Sequence, residues 1–359
     1  MGPGGTEAVE TNHVTSQRRV PTSAWLLSGG TALGLAAATG ALLVRRGTNS
    51  FYAEGDAATY RRIAADLFGR AAGFTDHADA AYRYGRVGLP LLGSLFAFGR
   101  TGAVGSTLIW VNVAAIAAIP GLAATLLDSY GRPGVAGAIV GLAAGLFALY
   151  RDPVAEPLMI ALIVLAYVFD AHGRRRTALV VVAYAVLVKE VAALALVPWI
   201  WRALRDRNWR DLGVVGAALV PYAVWCGWVR WRIGAFPFLA HTVQRTGAIG
   251  LPFAGMWTTW NATPHHSATI LALTSVTIVA AAVAAWVARR SPIGGVAAAF
   301  GCLTVCLGPN ALRFGFEIGR LLAPAQVFAL IAIATAWSTR RKQRPTLVTL
   351  QRDPMGVRR

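Results

Sequence analysis

Residues 177–201 read TALVVVAYAVLVKEVAALALVPWIW, an apolar run interrupted by the charged pair Lys189-Glu190. A helix needs about 20 apolar residues to cross about 30 Å of hydrocarbon, so this stretch could be a single span. It could equally be two shorter helices that turn at the charges. The flanking residues separate the two readings. Arg174, Arg175 and Arg176 precede the run, and Arg202, Arg205, Arg207 and Arg210 follow it. A single span places these basic loops on opposite sides of the bilayer, against the tendency of Lys and Arg to collect on the cytoplasmic side. A turn at Lys189-Glu190 places both on one side, together with Arg18-Arg19, Arg289-Arg290 and the basic segment 340–359. The sequence therefore predicts a turn.

Composition agrees with a bilayer as solvent. Mean hydropathy is +0.53, 56% of the 359 residues are hydrophobic and 14% are charged, a balance rare in a water-soluble domain of this size. A formal net charge of +18 would point to nucleic acid in a soluble protein. Here much of the excess sits in short runs beside apolar segments, the pattern of cytoplasmic loops and anionic-lipid contact, and nucleic acid is not expected as a partner. Cys226, Cys302 and Cys306 lie inside apolar segments without the further ligands that a zinc site requires, so they read as buried thiols.

The expected fold is an all-α integral membrane protein, a polytopic helical bundle of about ten spans. They are placed near 24–44, 104–127, 134–149, 156–170, 178–188, 191–201, 211–231, 267–288, 293–308 and 318–338. Residues 1–23 read as a cytoplasmic leader, 24–338 as the membrane domain and 339–359 as a basic cytoplasmic tail. Residues 45–103 form a long first extracytoplasmic loop and 232–266 a second large one. Gly88 to Gly99 is too short to cross and reads as interfacial or re-entrant. The expected location is the plasma membrane, multi-pass, with both termini cytoplasmic.

This threading collects on one side the charges that topology does not explain, among them Glu54, Asp56, Arg83, Arg86, Arg151, Asp152, Glu156, Lys189, Glu190, His241, Arg313, Glu317 and Arg320. An ionisable group near apolar lipid costs a few kcal/mol or more unless it is paired or lines a wet cavity, so each is a functional candidate. Asp56 precedes Tyr60, Ile63 and Ala64 at helical spacing, which suggests an amphipathic surface helix. Its carboxylate reads either as an N-cap or as a general base at the mouth of the bundle. Glu54 reads as its support, as a ligand for a divalent ion (magnesium or manganese), or as a solvated loop acid. Arg83 and Arg86 suit bidentate contact with a phosphate, or snorkelling to headgroups. Lys189-Glu190 reads as a self-neutralising pair or as a phosphate-holding lysine with an orienting acid. Arg313, Glu317 and Arg320 share a helix face, where a salt bridge is the plain alternative. Trp257, Trp260, His265 and His266 lie in an aromatic-rich stretch that reads as an interfacial belt or as an acceptor-binding wall, because sugar faces stack on exposed rings.

Several of these motifs resemble a known class. Asp56-x-x-x-Tyr60-x-x-Ile63-Ala64, Tyr82-Arg83 leading to Leu89-Pro90-Leu91, Glu156-Pro157-Leu158, Val188-Lys189-Glu190 and Arg320-Leu-Leu-Ala-Pro324 are similar, in order and spacing, to text in GT-C membrane glycosyltransferases of the mannosyltransferase type. The resemblance implies transfer of a sugar, mannose among the candidates, from a polyprenyl-phosphate donor to a glycan or lipid acceptor hydroxyl, with inversion and on the extracytoplasmic face. It assigns the catalytic acid to Asp56, with Glu54 beside it. Arg83, Arg86, Lys189, Arg320 and Arg313 would bind the donor phosphate, and Tyr60, Glu156, Glu190 and Glu317 would support them. Trp257, Trp260 and His265 would form the acceptor side. The acids appear as Glu54-Gly-Asp56 rather than as an adjacent pair, so no cofactor is fixed by the resemblance. The competing readings are a lipid or solute transporter or flippase, for which internal repeats are expected but not seen, and a non-catalytic membrane scaffold.

Overall fold

The computed structural model describes residues 22–47, 51–52, 55–69, 77–132, 136–140, 153–238, 248–262, 264–312 and 315–337. Among these the chain is all-helical apart from one isolated antiparallel bridge, Ile249 with Leu307. The principal helices are α1 (Thr22–Arg46), α2 (Gly55–Ala65), α3 (His77–Tyr84), α4 (Gly88–Phe96), α5 (Val104–Ser129), α6 (Ala155–Ala171) and α7 (Arg175–Val188). After a 3-10 segment, Glu190–Leu196, come α8 (Val197–Arg205), α9 (Trp209–Ala217), α10 (Val220–Ile233), α11 (Ala254–Ala262), α12 (Pro264–Val287), α13 (Pro292–Val305) and α14 (Gly315–Trp337).

Four stretches among the described residues are long and apolar enough to cross a membrane: Leu26–Arg45, Thr101–Ser129, Ala268–Val287 and Ile318–Ala336. The pair α9 and α10, bent by 44° at its break, makes a fifth if it is one span. The chain is thus a multi-pass helical membrane protein by length and composition. Helices α6, α7 and α13 lie at sequence-predicted spans and, at 17, 14 and 14 residues, are shorter than those four stretches. At 1.5 Å per residue α7 covers about 21 Å, less than a full hydrocarbon thickness. The span expected at 191–201 begins as a 3-10 segment, and most of the one expected at 134–149 lies outside the described residues.

The stretch 177–201 is a hairpin. Helix α7 ends at Val188, and Lys189 takes extended backbone angles, φ −158° and ψ 126°, before the chain turns back. The Arg175 guanidinium stacks 4.7 Å from the Trp199 ring centroid, whereas 24 residues along one helix would separate them by about 36 Å. The far end of the hairpin is tied down beside its basic flanks. Arg175 lies 3.4 Å from Asp170 and 3.3 Å from Asp211, and Trp199 Nε1 donates to Asp170 Oδ2 at 3.1 Å. The basic loops around 174 and 207 therefore share one end of the bundle, and Lys189 stands at the other.

The described helices of the first loop pack against the bundle. Ala57, Tyr60, Ile63 and Ala64 form the buried face of α2, which rests on α4 and α5. Helix α4, 9 residues long, does not cross; its Gly88, Leu89, Pro90 and Gly93 are buried. Gly88 allows that approach, because a Cβ there would lie 2.6 Å from the Val188 backbone nitrogen. Tyr184 donates to the Gly88 carbonyl at 2.8 Å on the same contact. A smaller core of Ile63, Ala80, Ala81, Tyr84, Val229 and Ile233 fixes α3 against α10, and Trp225 Nε1 donates to the Tyr84 carbonyl at 2.7 Å.

The hairpin has a direct test. Single cysteines replacing Arg174 and Arg207 are expected to react with an impermeant maleimide from the same side of an oriented vesicle. A cysteine placed on the loop 97–100 should react from the other side. Labelling of Arg174→Cys and Arg207→Cys from opposite sides would contradict the turn.

Candidate functional site

At the end of the bundle opposite Arg175, five segments bring their charges together. Asp56 occupies the first turn of α2, where a carboxylate is favoured by the helix dipole. Its side chain is 13% exposed and does not act as an N-cap; it is gripped by two guanidiniums instead. Arg83, in the last turn of α3, contacts Asp56 Oδ1. Arg320, in the second turn of α14, donates to Asp56 Oδ2 at 2.8 Å across 264 residues of sequence. Arg320 also lies 3.7 Å from Glu156 Oε1 in the first turn of α6, and the same oxygen accepts from Lys189 Nζ at 2.6 Å.

A neighbouring pair closes the cluster. Arg86 donates to both carboxylate oxygens of Glu190, at 2.7 and 2.9 Å, and to the Tyr82 hydroxyl at 2.6 Å, while its guanidinium stacks 4.5 Å from the Tyr82 ring. The bidentate fork suits an arginine and not a lysine. Lys189 and Glu190 are adjacent in sequence but take different partners, so the self-neutralising turn gives way to two separate pairs. Tyr60 is buried among Arg86, Glu156, Arg320 and Tyr82, and burial raises the pKa of its hydroxyl. For Glu190, burial pushes the pKa up, and the Arg86 guanidinium more than offsets it, holding the carboxyl at about 2. For Arg86, burial works against the charge, while Glu190 overrides it and raises its pKa.

Sequence reasoning missed Asp79. It stands one helical turn before Arg83, with Oδ1 3.3 Å from Arg83 Nε, and taken alone it looks like a solvated loop acid. The Asp79-x-x-x-Arg83 spacing was the available signal.

Other expected residues stay apart or unplaced. Trp257 and Trp260 project from α11, 70% and 50% exposed, and among the described residues no hydrogen bond or ion pair ties them to the cluster. Glu54, Arg151, Asp152, His241 and Arg313 lie outside the described residues, as do the side chains of His265, His266 and Glu317. Among the described residues no group of three His, Cys, Asp or Glu side chains could hold a metal ion.

An apolar cavity of about 300 Å³, open at one side, is lined by Phe68, Val87, Leu187, Val224, Trp225 and Trp228 among others. The two indoles stack at 4.5 Å, and Phe68 meets Trp228 edge-on at 5.9 Å. Trp225 has already spent its N–H on the Tyr84 carbonyl, so this wall is hydrocarbon in character. Val87 adjoins Arg86 in sequence, and Leu187 is two residues from Lys189. Two lining residues thus neighbour cluster residues in sequence, while none of the cluster's charged side chains lines the cavity. No family model, no curated protein and no solved structure matches this chain.

The Arg86–Glu190 pair predicts a pH signature. A carboxylate whose pKa is lowered on folding stabilises the fold fully above its ordinary value of 4.5, and that stabilisation is lost as pH falls towards the folded value of about 2. Glu190→Gln should melt below the wild type at pH 7, with the gap closing progressively as pH falls from about 5 to about 2. A pH-independent gap would contradict the pairing.

Proposed function

We propose that this protein is an inverting GT-C-type glycosyltransferase that uses a polyprenyl-phosphate sugar, mannose being the first candidate. The observation that carries the proposal is the meeting of Asp56, Arg83, Glu156, Lys189 and Arg320 in one connected network from five separate segments. Charges this costly to bury are retained in an apolar bundle when they serve binding or chemistry. The network joins two carboxylates to three cations, and the fold also holds an apolar cavity, a combination that suits a substrate made of a hydrocarbon chain, a phosphate and a sugar.

In this reading Asp56 accepts the proton of the acceptor hydroxyl as that oxygen bonds to the anomeric carbon. The bond from that carbon to the phosphate oxygen breaks, and its electron pair leaves with the phosphate. Lys189, Arg320, Arg83 and Arg86, with Arg313 proposed from the sequence alone, stabilise the charge that develops there, an effect worth several kcal/mol in a dry, preorganised site. Tyr60, Glu156, Glu190 and Glu317 orient these groups, and Glu54 assists Asp56. The cavity at Trp225 and Trp228 takes the first part of the prenyl chain. Trp257, Trp260 and His265 belong to the acceptor side, which binds a glycan or a lipid. The full proposal includes a bundle of about ten spans in a plasma membrane, with the cluster extracytoplasmic and both termini cytoplasmic.

Purified protein in lipid, supplied with radiolabelled polyprenyl-phosphate mannose and a membrane glycolipid extract as acceptor, tests the reading. Asp56→Asn should reduce transfer by about 100- to 10,000-fold, the range for loss of a positioned general base. Equal transfer by both proteins would remove Asp56 from the chemistry. Movement of the labelled lipid between leaflets without transfer would favour a flippase.

A further inference from the structure

The arrangement around Asp56 is symmetrical in a way that a simple ion pair does not require. Asp56 is held by two guanidiniums, and each is shared with a second carboxylate: Arg83 with Asp79 at 3.3 Å, and Arg320 with Glu156 at 3.7 Å. Two cations pressed on one carboxylate stabilise its charged form and make it a weak base. A second acid on each arginine draws part of that field away. An ordinary surface i,i+4 pair needs no such geometry, yet the Arg83 side chain is only 6% exposed and points one nitrogen at Asp79 and another at Asp56.

We propose that Asp79 and Glu156 are positioning residues, a pair of counter-acids that divide Arg83 and Arg320 with Asp56 and keep Asp56 basic enough to accept a proton. The inference rests on the transferase reading for what Asp56 does, but the sharing of the arginines stands on geometry alone. The charged and titratable groups facing Asp56 are Arg83 and Asp79 from α3, Arg320 from α14 and Glu156 from α6 with Lys189 behind it. Tyr60 on its own helix and the Tyr82–Arg86 pair complete the surround. Removing either counter-acid leaves more positive charge for Asp56, so its titration must move to lower pH.

Protein carrying ¹³C-carboxyl-labelled aspartate in nanodiscs, with the Asp56 signal assigned by its loss in Asp56→Asn, reads this titration. Asp79→Asn should lower the Asp56 midpoint by about half to one pH unit, a size set by Coulomb interaction at several ångströms in a partly exposed site. Asp79→Glu should restore it, and the acid limb of the kcat/KM profile for sugar transfer should move with the midpoint. Glu156→Gln, made in a Lys189→Met background so that no buried ammonium is stranded, should lower the midpoint relative to Lys189→Met alone. An unchanged midpoint in Asp79→Asn overturns the proposal. A raised midpoint does so too, because it means that Asp79 aimed Arg83 rather than shared it. The spectroscopic reading needs no turnover: a lowered midpoint in a protein that transfers no sugar upholds the sharing and removes the transferase, whereas transfer with an unmoved midpoint does the reverse.

Discussion

Arg320 ties the beginning of the described chain to its end. Its guanidinium reaches Asp56 on the first loop and Glu156 at the start of α6 from a position near the start of the last helix. A charge in an apolar bundle is tolerated only with partners, so these three residues constrain where α2, α6 and α14 can sit. Lys189 extends the constraint to the tip of the hairpin through Glu156, and Arg86 extends it again through Glu190. The apolar core then fills the space between elements whose ends the charges have fixed. Removing one member would leave a buried partner uncompensated, which is commonly more damaging than replacing both.

Much of this organisation was legible in the sequence. Lys189-Glu190 stood out because two charges inside an apolar run have no cheap place in lipid, and the basic loops on either side settled their role as a turn. Asp56 and Arg320 stood out for the same reason. Their pairing with one another was not legible, because 264 residues separate them and no local pattern encodes a contact at that distance. Glu190 illustrates the limit. Sequence proximity suggested Lys189 as its partner, whereas the close approach allowed by Gly88 brings Arg86 to it.

Element lengths were less legible than element positions. A run of apolar residues does not state where a helix becomes 3-10 or ends short, and residues 190–201 show both. The short α6 and α7 are pinned at both ends, by Glu156 with Lys189 at one and by Asp170 with Arg175 at the other. The amphipathic face of α2 was legible in its period, and the structure shows that it packs on α4 and α5. Asp79 escaped notice because an acid four residues from an arginine is common on exposed helices, and only burial of Arg83 marks this one as different.

The central claim is that residues far apart in sequence form one site for a lipid-linked phosphate sugar. A cryo-electron microscopy map of the protein in lipid nanodiscs with a non-hydrolysable prenyl-phosphonate sugar tests it most directly. The account predicts the phosphonate among Lys189, Arg320 and Arg83, the anomeric carbon facing Asp56 and the first prenyl units against Trp225 and Trp228. A ligand bound elsewhere, or Asp56 and Arg320 separated beyond hydrogen-bonding reach with no connecting cleft, would contradict it.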